Sequence, residues 1–423
     1  MHDIATIILA GGQGTRLFPL TEKRCKPNVS FGGRYRLIDI PLSNSLHSKI
    51  RQIYVLSQFF TTDLNQYINA TYHFDLFEEE EIVLLSPEER PDGVMWYKGT
   101  ADAIRKNMDQ ILKSTASHFL ILSGDQLYNI NFSSLITFAK EENADLVIAS
   151  LPVQVKEAKR MGLMQIDPSS QILEFYEKPQ EQSILDKFAL KTEFLKKEHI
   201  ENHTTAHYLG SMGIYVFKRE ALVALLQENG DDFGKHLIPL QIQKGNAFSF
   251  LYQGYWEDIG TIESYYNANL ALLAHKNCLD IYDELQPIYS RTHNLPSASI
   301  HHASIQNSLI SPGTIIEAKE ISNSIIGVRC QIKSGTIIRN SILIGNQSYQ
   351  PKITIPSILP TQFTIGKNCL IEKAIIEEHV HIGNGVQLIN KDHLDRYDGS
   401  GIYIRDGIII VTTGTILPDN FVL

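Results

Sequence analysis

The strongest constraint on the fold is an isoleucine that recurs every six residues, with occasional intervals of five, after residue 300. It stands at 321, 326, 332, 338 and 344, and again at 365, 371, 376 and 382. Glycines punctuate the turns at Gly313, Gly327, Gly335, Gly345, Gly366, Gly383 and Gly385. A hexapeptide period is typical of a parallel β-helix, in which each short face contributes one apolar residue to the interior. We therefore predict such a domain, with 346–361 as a protruding loop where the period is interrupted.

The residues before this repeat have a different periodicity. Short β-branched runs at 4–10, 52–58, 118–125 and 145–153 are typical of buried strands, and 100–113 carries a helical pattern that Thr100 or Asp102 can cap. Alternating strands and helices predict a mostly parallel, doubly wound, Rossmann-like α/β sheet. We place this domain at 1–285 and the β-helix at 286–423. Ligands of such sheets bind beyond the carboxyl ends of the strands.

Composition excludes several classes of protein. The net charge of −9 disfavours a general nucleic-acid binder. No apolar run has the length of a membrane span, and the N-terminus lacks the pattern of a signal peptide. The four cysteines are far apart and form no CxxC pair, which fits a reducing compartment. We expect a cytoplasmic protein without a membrane or nucleic-acid partner.

The loop after the first strand, "GGQGTRLFPLTEKRCKP" (11–27), indicates an anion site. It is not a dinucleotide fingerprint, because Leu17 stands where the third glycine is needed, and no Gly-Lys-Ser/Thr follows to make a P-loop. Glycines allow backbone N–H groups to approach phosphate oxygens closely. The cations Arg16, Arg24 and Lys26 are then available to neutralise a polyphosphate.

Further stretches resemble one family in detail. They are "FGGRYRLIDIPLSNSLHSKI" (31–50), "WYKGTADA" (96–103), "LSGDQLY" (122–128), "EFYEKP" (174–179), "GSMGIYVF" (210–217), "DFGKHLIP" (232–239) and "GYWEDIGTIESYYNAN" (254–269). Together with the opening loop and the repeat, this ordered set resembles the glucose-1-phosphate adenylyltransferases of the sugar nucleotidyltransferase superfamily over nearly the whole chain. The resemblance implies a left-handed β-helix and the reaction of ATP with glucose 1-phosphate to ADP-glucose and pyrophosphate. It also implies magnesium, a homotetramer and a role in glycogen- or starch-type glucan synthesis.

The resemblance implies roles for individual residues. Asp125 and Asp258 are matched to magnesium ligands, with Asp125, Arg16 and Lys26 as the catalytic set and the two cations on the β- and γ-phosphates. The nucleotide-binding positions are Ala10, Gly11, Gly12, Gly14, Thr15, Glu89, Tyr97, Gly99 and Thr100. The sugar-phosphate positions are Gly162, Glu177, Lys178 and Ser211. Trp96 and Trp256 are expected to be packing residues.

The chain departs from the family at the expected base-reading position. Glu88 and Glu89 stand where the family carries a pair of glutamines. A carboxylate only accepts hydrogen bonds, whereas an amide also donates, so guanine with its two adjacent donors becomes a competitor of adenine. We favour ATP. A related transferase that uses GTP or UTP, and a regulatory or assembly homologue, remain alternatives.

The regulatory positions also differ. Thr413 stands where the plant branch carries a lysine linked to phosphorylated activators, and Arg405 offers a nearby cation. Arg34 stands where the enteric bacterial branch has an activator-binding lysine. We therefore expect phosphate-containing effectors to act here only through Arg34 or Arg405, with a weak or absent response to 3-phosphoglycerate.

Overall fold

The computed structural model describes residues 3–74, 81–90, 93–94, 96–198, 206–274, 278–292, 294–346 and 364–423. Apart from Asn346, the predicted loop at 346–361 lies outside the described residues. Within the described ranges, no helix combines the length and the hydropathy that crossing a bilayer requires. All four cysteines are free thiols.

The first part of the chain contains these strands: β1 (Ile4–Ala10), β2 (Ser30–Phe31), β3 (Tyr35–Arg36), β4 (Gln52–Ser57), β5 (Glu81–Leu85), β6 (Glu89–Arg90), β7 (Gly93–Val94), β8 (His118–Ser123), β9 (Gln126–Tyr128), β10 (Leu146–Gln154), β11 (Gly162–Ile166), β12 (Ile172–Glu177), β13 (His207–Lys218), β14 (Ala247–Leu251) and β15 (Trp256–Asp258). Its helices are α1 (Asp39–His47), α2 (Thr61–Thr71), α3 (Thr100–Lys106), α4 (Met108–Ile111), α5 (Ser133–Glu141), α6 (Val155–Ala158), α7 (Gln182–Phe188), α8 (Thr192–Lys197), α9 (Arg219–Leu226), α10 (Ile238–Lys244) and α11 (Ile262–Ala271). Single turns of 3-10 helix occur at Thr15–Leu17, Lys26–Asn28 and Leu272–Ala274, and a π-helical turn at Phe233–Leu237.

The central sheet has the order β12-β11-β13-β8-β1-β4-β5, and β13 also pairs with β10, which pairs with β14. The pairs β1–β4, β1–β8, β4–β5 and β10–β14 are parallel, whereas β13 is antiparallel to β8, β10 and β11, and β12 to β11. Only β12 and β13 of these strands therefore run against the common direction. The predicted mostly parallel sheet is confirmed, and the carboxyl ends of β1, β4 and β8 meet at one edge.

The predicted helix at 100–113 is interrupted. It is divided into α3 and α4 at Asn107, whose side-chain amide donates to the Ala103 carbonyl at 2.8 Å and competes with the helical hydrogen bonds. The predicted cap is wrong, because the helix begins after Gly99 without a side-chain cap. The Thr100 hydroxyl instead accepts a bond from the Phe233 N–H at 3.0 Å, which ties the start of α3 to the π-helical turn.

Three stacks of parallel strands form the β-helix. They are β16 (Ser299–Ile300), β17 (Ser304–Gln306), β18 (Leu309–Ile310), β19 (Ile315–Ile316), β20 (Glu320–Ser322), β21 (Ile325–Val328), β22 (Gln331–Ile332), β23 (Ile337–Arg339), β24 (Ile342–Gly345), β25 (Thr364–Ile365), β26 (Leu370–Glu372), β27 (Ala374–Ile376), β28 (His381–Ile382), β29 (Gln387–Leu388), β30 (Arg396–Asp398), β31 (Ile402–Arg405), β32 (Ile408–Val411) and β33 (Ile416–Leu417). The stacks are β16-β19-β22-β25-β28-β33, β17-β20-β23-β26-β29 and β18-β21-β24-β27-β32, and β31 and β30 extend the third as an antiparallel hairpin.

The predicted isoleucine ladder fills the interior of these coils. Ile316 pairs with Ile332, and Ile321 with Ile338, in successive coils. Position 344 is the exception, because Leu343 takes the inward place, paired with Ile326. Ile344 packs outward, together with Ile325, Ile342 and Ile375, against the apolar layer that also covers one face of β1. The two domains therefore share a continuous hydrophobic core.

Candidate active site

The edge where β1, β4 and β8 end opens into a cavity of about 450 Å³. Its walls include eight of the residues assigned from the sequence to catalysis and nucleotide binding: Ala10, Gly11, Gly12, Lys26, Tyr97, Gly99, Thr100 and Asp125. A second cavity of about 260 Å³ contains Gly162, Ser211 and Asp258 in its wall. Glu177 and Lys178 line both cavities, as do Gln126, Gly213 and Tyr215. The two cavities therefore adjoin along this shared wall.

The opening loop brings only part of its cationic set to these cavities. Gly14 adopts the left-handed conformation (φ 65°) before the turn at Thr15–Leu17, and its carbonyl accepts a bond from the Thr21 hydroxyl at 2.9 Å. Thr15 and Arg16 are exposed, and with Gly14 they lie outside the walls of both cavities. The Arg16 guanidinium nevertheless lies close to Asp258, on the same side of Gly260.

Lys26, Asp125 and Asp258 form a compact charged cluster. The Lys26 ammonium lies 2.5 Å from Asp125 Oδ2 and 3.8 Å from Asp258 Oδ1. Asp258 is distant in sequence but is brought here because β15 pairs with β9 directly after Asp125, with Asp258 opposite Gln126. Paired short strands at the end of β8 thus bring the second carboxylate beside the first.

Burial and nearby charges shift the pKa values of the two carboxylates in opposite directions. Burial by itself raises the pKa of Asp125, but the charge and hydrogen bond of Lys26 and the Ser123 hydroxyl outweigh it and hold that pKa below its usual value. Burial and the neighbouring Asp125 charge raise the pKa of Asp258, and the nearby cations only partly oppose this. One lysine therefore does not neutralise both carboxylates, so additional positive charge beside Asp258 would be electrostatically favourable.

The pair of acids fits magnesium. Two hard carboxylates on one cavity edge suit a cation that keeps several waters and takes phosphate oxygens as its remaining ligands. Within the described ranges, no cluster of three or more His, Cys, Asp or Glu side chains could hold a metal. The described protein residues therefore do not supply enough ligands to hold a metal by themselves. A metal bound between Asp125 and Asp258 would need substrate oxygens among its ligands.

The residues assigned from the sequence to the sugar phosphate are held by close packing. A Cβ on Gly162 would lie 2.3 Å from the Phe175 ring, so only glycine fits against it. Lys178 follows β12 with a positive φ of 51°, an unfavourable conformation for a lysine, and its N–H donates to the Met161 carbonyl at 3.1 Å. Its ammonium lies 3.1 Å from Glu177 Oε1, and Ser211 is buried beside this pair.

The larger cavity contains an amide that the motifs did not indicate. Gln58 follows β4 and lines the larger cavity, where its Oε1 accepts from the Tyr97 N–H at 2.5 Å. Gly99 allows close approach, since a Cβ there would lie 2.2 Å from the Asp231 carbonyl oxygen. Glu88 is exposed and lines a neighbouring cavity that shares Tyr97. The backbone of Glu89 lies in β6, and its side chain is outside the described residues.

Comparison with known families agrees with this geometry. The family described as nucleotidyl transferase matches residues 5–275, which is more than half of the chain. The chain belongs to the nucleotidyl transferase family. The family described as the GLGC left-handed parallel β-helix domain matches residues 293–422. This combination is the architecture of glucose-1-phosphate adenylyltransferase in the sugar nucleotidyltransferase superfamily, so the predicted resemblance and fold class are confirmed.

One cation of this nucleotidyl transferase is not where the loop pattern suggested. Arg24 was expected among the polyphosphate ligands, but it is buried against the β-helix. Its guanidinium lies 2.7 Å from Glu378 Oε1 and 3.7 Å from Glu377 Oε1, and it donates to the Thr413 hydroxyl at 3.2 Å. The expectation is wrong because two carboxylates of the second domain, invisible to a local motif, bind this arginine.

The two regulatory candidates of the nucleotidyl transferase occupy different surroundings. Arg34 is exposed, donates weakly to Ser290 Oγ at 3.4 Å, and lines a small interdomain cavity with Arg36, Arg291 and Glu378. Arg405 pairs with Asp398 and lies over the Phe18 ring of the opening loop, 5.7 Å from its centroid. Arg34 is thus the more available cation, whereas Arg405 is engaged within the C-terminal hairpin.

Several cavity residues were not found from the sequence. Gln58, Gln126 and Arg160 line the cavities, and Trp256, expected only to pack, lines the sugar side and donates to Gln126 Oε1 at 3.3 Å. Gln58 is the last residue of the predicted strand at 52–58, and Gln126 directly follows the predicted strand at 118–125. Both therefore stand at strand ends, where the sequence predicts ligand binding. Arg160 belongs to no motif, and only the fold reveals its location.

Proposed function

We propose that the chain transfers the adenylyl group of ATP to α-D-glucose 1-phosphate, giving ADP-glucose and pyrophosphate. One observation carries the proposal: two adjoining cavities share Glu177 and Lys178, and the Lys26–Asp125–Asp258 cluster stands beside both. The larger cavity suits a nucleotide, and the smaller suits a hexose phosphate. The shared wall is where a phosphate from each substrate meets.

The chemistry needs little beyond charge control. A phosphate oxygen of glucose 1-phosphate attacks the α-phosphorus of ATP, a new P–O bond forms, and the bond to the β-phosphate oxygen breaks as pyrophosphate leaves. Because a phosphate monoester is mostly dianionic at neutral pH, with a second pKa of about 6, no general base is required. Lys26 and Arg16 stabilise the leaving pyrophosphate, and Lys178 positions the attacking phosphate.

Asp125 and Asp258 are the residues that would hold magnesium. When bound, the cation neutralises charge on the α-phosphate and favours the approach of one anion to another. The raised pKa of Asp258, due to its burial and the charge of Asp125, supports this assignment, because added positive charge removes that penalty.

The base preference is supported by the placement of the amide. Gln58 lines the nucleotide cavity, whereas Glu88 lines its neighbour. Since the Gln58 carbonyl oxygen already accepts from Tyr97, its NH₂ group is left to donate to N1 of adenine, a position at which guanine carries an N–H donor instead. This favours ATP over GTP, and the alternative base depends on Glu89.

The family architecture supports a proposal for the wider role. We infer a cytoplasmic homotetramer that supplies ADP-glucose for glycogen-type glucan synthesis, regulated through Arg34 if it responds to phosphorylated effectors. Thr413 supports a weak response to 3-phosphoglycerate, because it is a neutral side chain already bonded to Arg24.

The decisive assay is pyrophosphate release with each of the four nucleoside triphosphates, paired in turn with glucose, galactose and mannose 1-phosphates. ATP with glucose 1-phosphate should give the highest catalytic efficiency, and omission of magnesium should abolish it. A preference for GTP or UTP would establish the related transferase. Absence of turnover with every pair would favour a regulatory or assembly role.

A further inference from the structure

A second arginine approaches the site beside Arg16. Arg160 lies between α6 and β11 and lines the sugar-side cavity. Its Nη2 lies 3.0 Å from the point that a Cβ on Gly260 would occupy, and Arg16 Nη2 lies 3.6 Å from the same point. Asp258 Oδ2 is 3.3 Å from that point. Two guanidinium groups therefore converge over the bare backbone of Gly260, next to an acid of the candidate metal site.

These guanidinium groups are only partly offset by acids in the described parts of the chain, where Asp258 lies near both and Glu257 lies near Arg160. Neither Arg16 nor Arg160 has an ion pair or a side-chain hydrogen bond there, although both lower the pKa of Asp258 through their charge. Asp258 offsets part of the repulsion between these like charges, and a bound anion would offset more of it. A buried structural role also fails to explain Arg160, because its side chain is exposed to the cavity and to solvent.

The smaller cavity is lined by four acids, Glu157, Glu177, Glu257 and Asp258, and by two cations, Arg160 and Lys178, so a phosphate that enters it depends on those two cations. Lys178 is 3.1 Å from Glu177, so most of its charge is already offset. A phosphate monoester carries between one and two negative charges at neutral pH. A single lysine shared with a glutamate is insufficient for such a group, whereas an unpaired guanidinium provides two parallel donors that match phosphate oxygens.

We propose that Arg160 is a further substrate-binding residue, whose guanidinium binds the phosphate of the sugar phosphate opposite Lys178. The inference rests on the proposed function for the identity of the sugar phosphate. The polyphosphate is the less favoured ligand, because Arg160 lines the smaller, sugar-side cavity and not the larger cavity that contains Tyr97 and the glycine loop. Gly260 contributes to the arrangement, since a Cβ there would lie 3.0 Å from the guanidinium and would require it to shift by a few tenths of an ångström.

The test compares Arg160→Gln and Arg160→Lys with a matched control, Lys159→Gln, which removes one exposed positive charge from the adjacent position. Loss of the charge-assisted bonds in Arg160→Gln should raise the KM for glucose 1-phosphate about tenfold and leave that for ATP within about twofold. Arg160→Lys should recover part of the loss, because it keeps the charge without the paired donors. Lys159→Gln should match the wild type.

Binding without turnover separates this proposal from the proposed function. Calorimetric titration of glucose 1-phosphate into the nucleotide-free full-length protein should show the same weakening in Arg160→Gln. If the wild type has no transferase activity but this binding difference persists, only the proposed function fails. Unchanged sugar-phosphate affinity in Arg160→Gln would overturn the role of Arg160. A larger effect on ATP, or on pyrophosphate in the reverse reaction, would assign it to the polyphosphate instead.

Discussion

Two charged clusters take their central cation from the same short stretch of the opening loop but lie in different surroundings. At the domain interface, Arg24 faces Glu377 and Glu378, and at the active site Lys26 faces Asp125 and Asp258. Each cluster sets one cation against two carboxylates, and in each the pKa of one acid is lowered and that of the other is raised. In each cluster the cation lies within 3 Å of one acid and more than 3.5 Å from the other, and burial outweighs the remaining positive charge at the second acid.

The difference lies in what can supply the missing positive charge. Glu377 is buried, so a proton is the simplest source, and burial raises its pKa to about 7 despite Arg24. The Asp258 side chain is 36% exposed and opens to a cavity, so a hydrated cation can reach it. The same imbalance therefore gives a pH-sensitive contact in a buried interface and a candidate magnesium site at an open cavity.

The largest contrast should come from Asp125→Asn. It removes one of the two proposed magnesium ligands, so we expect catalytic efficiency to fall by at least about a thousandfold, while the thermal midpoint falls modestly because buried Lys26 loses its carboxylate partner at 2.5 Å. Magnesium-dependent protection of the ATP complex against unfolding should be lost. Asp63→Asn, an exposed change in α2, is the control. Near-normal turnover with unchanged magnesium dependence would contradict the metal assignment.

Arg24→Met should instead act mainly on stability and much less on activity. It leaves Glu377 and Glu378 buried without their cation, and breaking such a pair costs about 3–5 kcal/mol of unfolding free energy. Denaturant and thermal unfolding measure this, with the exposed neighbour Lys23→Met as control. Adding Glu377→Gln and Glu378→Gln should restore most of the stability. If Arg24→Met leaves stability intact but raises the KM for ATP, the arginine binds nucleotide after all.

Lys178→Ala tests a charge outside both clusters. Because Lys178 is more than half exposed and is balanced by Glu177, its loss should leave stability nearly unchanged. The affinity for glucose 1-phosphate should fall about thirtyfold, the effect of losing one charge-assisted bond. Comparing the KM for sugar phosphate with that for ATP decides the outcome. An equal loss for both substrates would mean that Lys178 positions the reacting groups jointly.

The contribution of the domain interface to the stability of the protein should also depend on pH. The pKa of Glu377 is raised from 4.5 to about 7, so the folded protein holds this proton more tightly than the unfolded chain. Its contribution to stability is complete below about pH 4.5 and is lost as the pH rises through 7. Glu377→Gln cannot ionise, so its stability relative to wild type should increase by about 2–3 kcal/mol between pH 5 and 8. A difference that is constant with pH would show that Glu377 is not protonated in the interface.

The contrast also shows what the sequence can predict. The first strand has the predicted bounds, 4–10, because a buried parallel strand is a local apolar run. The isoleucine ladder likewise follows from a local period, except at Ile344, where the other domain covers an outward position. Arg24 and Arg160 were beyond such reasoning, because their partners or neighbours are set by distant segments around Glu377 and Gly260.

The smallest effect should appear at the base, where neither cluster acts. The amide of Gln58 accepts from the Tyr97 N–H at 2.5 Å and retains its NH₂ donors for adenine. In Gln58→Glu the carboxylate can still accept from Tyr97 but has nothing to donate, and it can accept from the two donors of guanine. We expect the ATP-to-GTP ratio of catalytic efficiencies to fall about three- to tenfold, as for one unpaired polar group at a partly wet site.

Glu88→Gln should leave the ratio unchanged, because Glu88 lines the neighbouring cavity. Glu89→Gln then reports separately on the second carboxylate. If Glu88→Gln or Glu89→Gln raises the ratio while Gln58→Glu leaves it unchanged, the base is read by the glutamate pair and the role assigned to Gln58 is wrong.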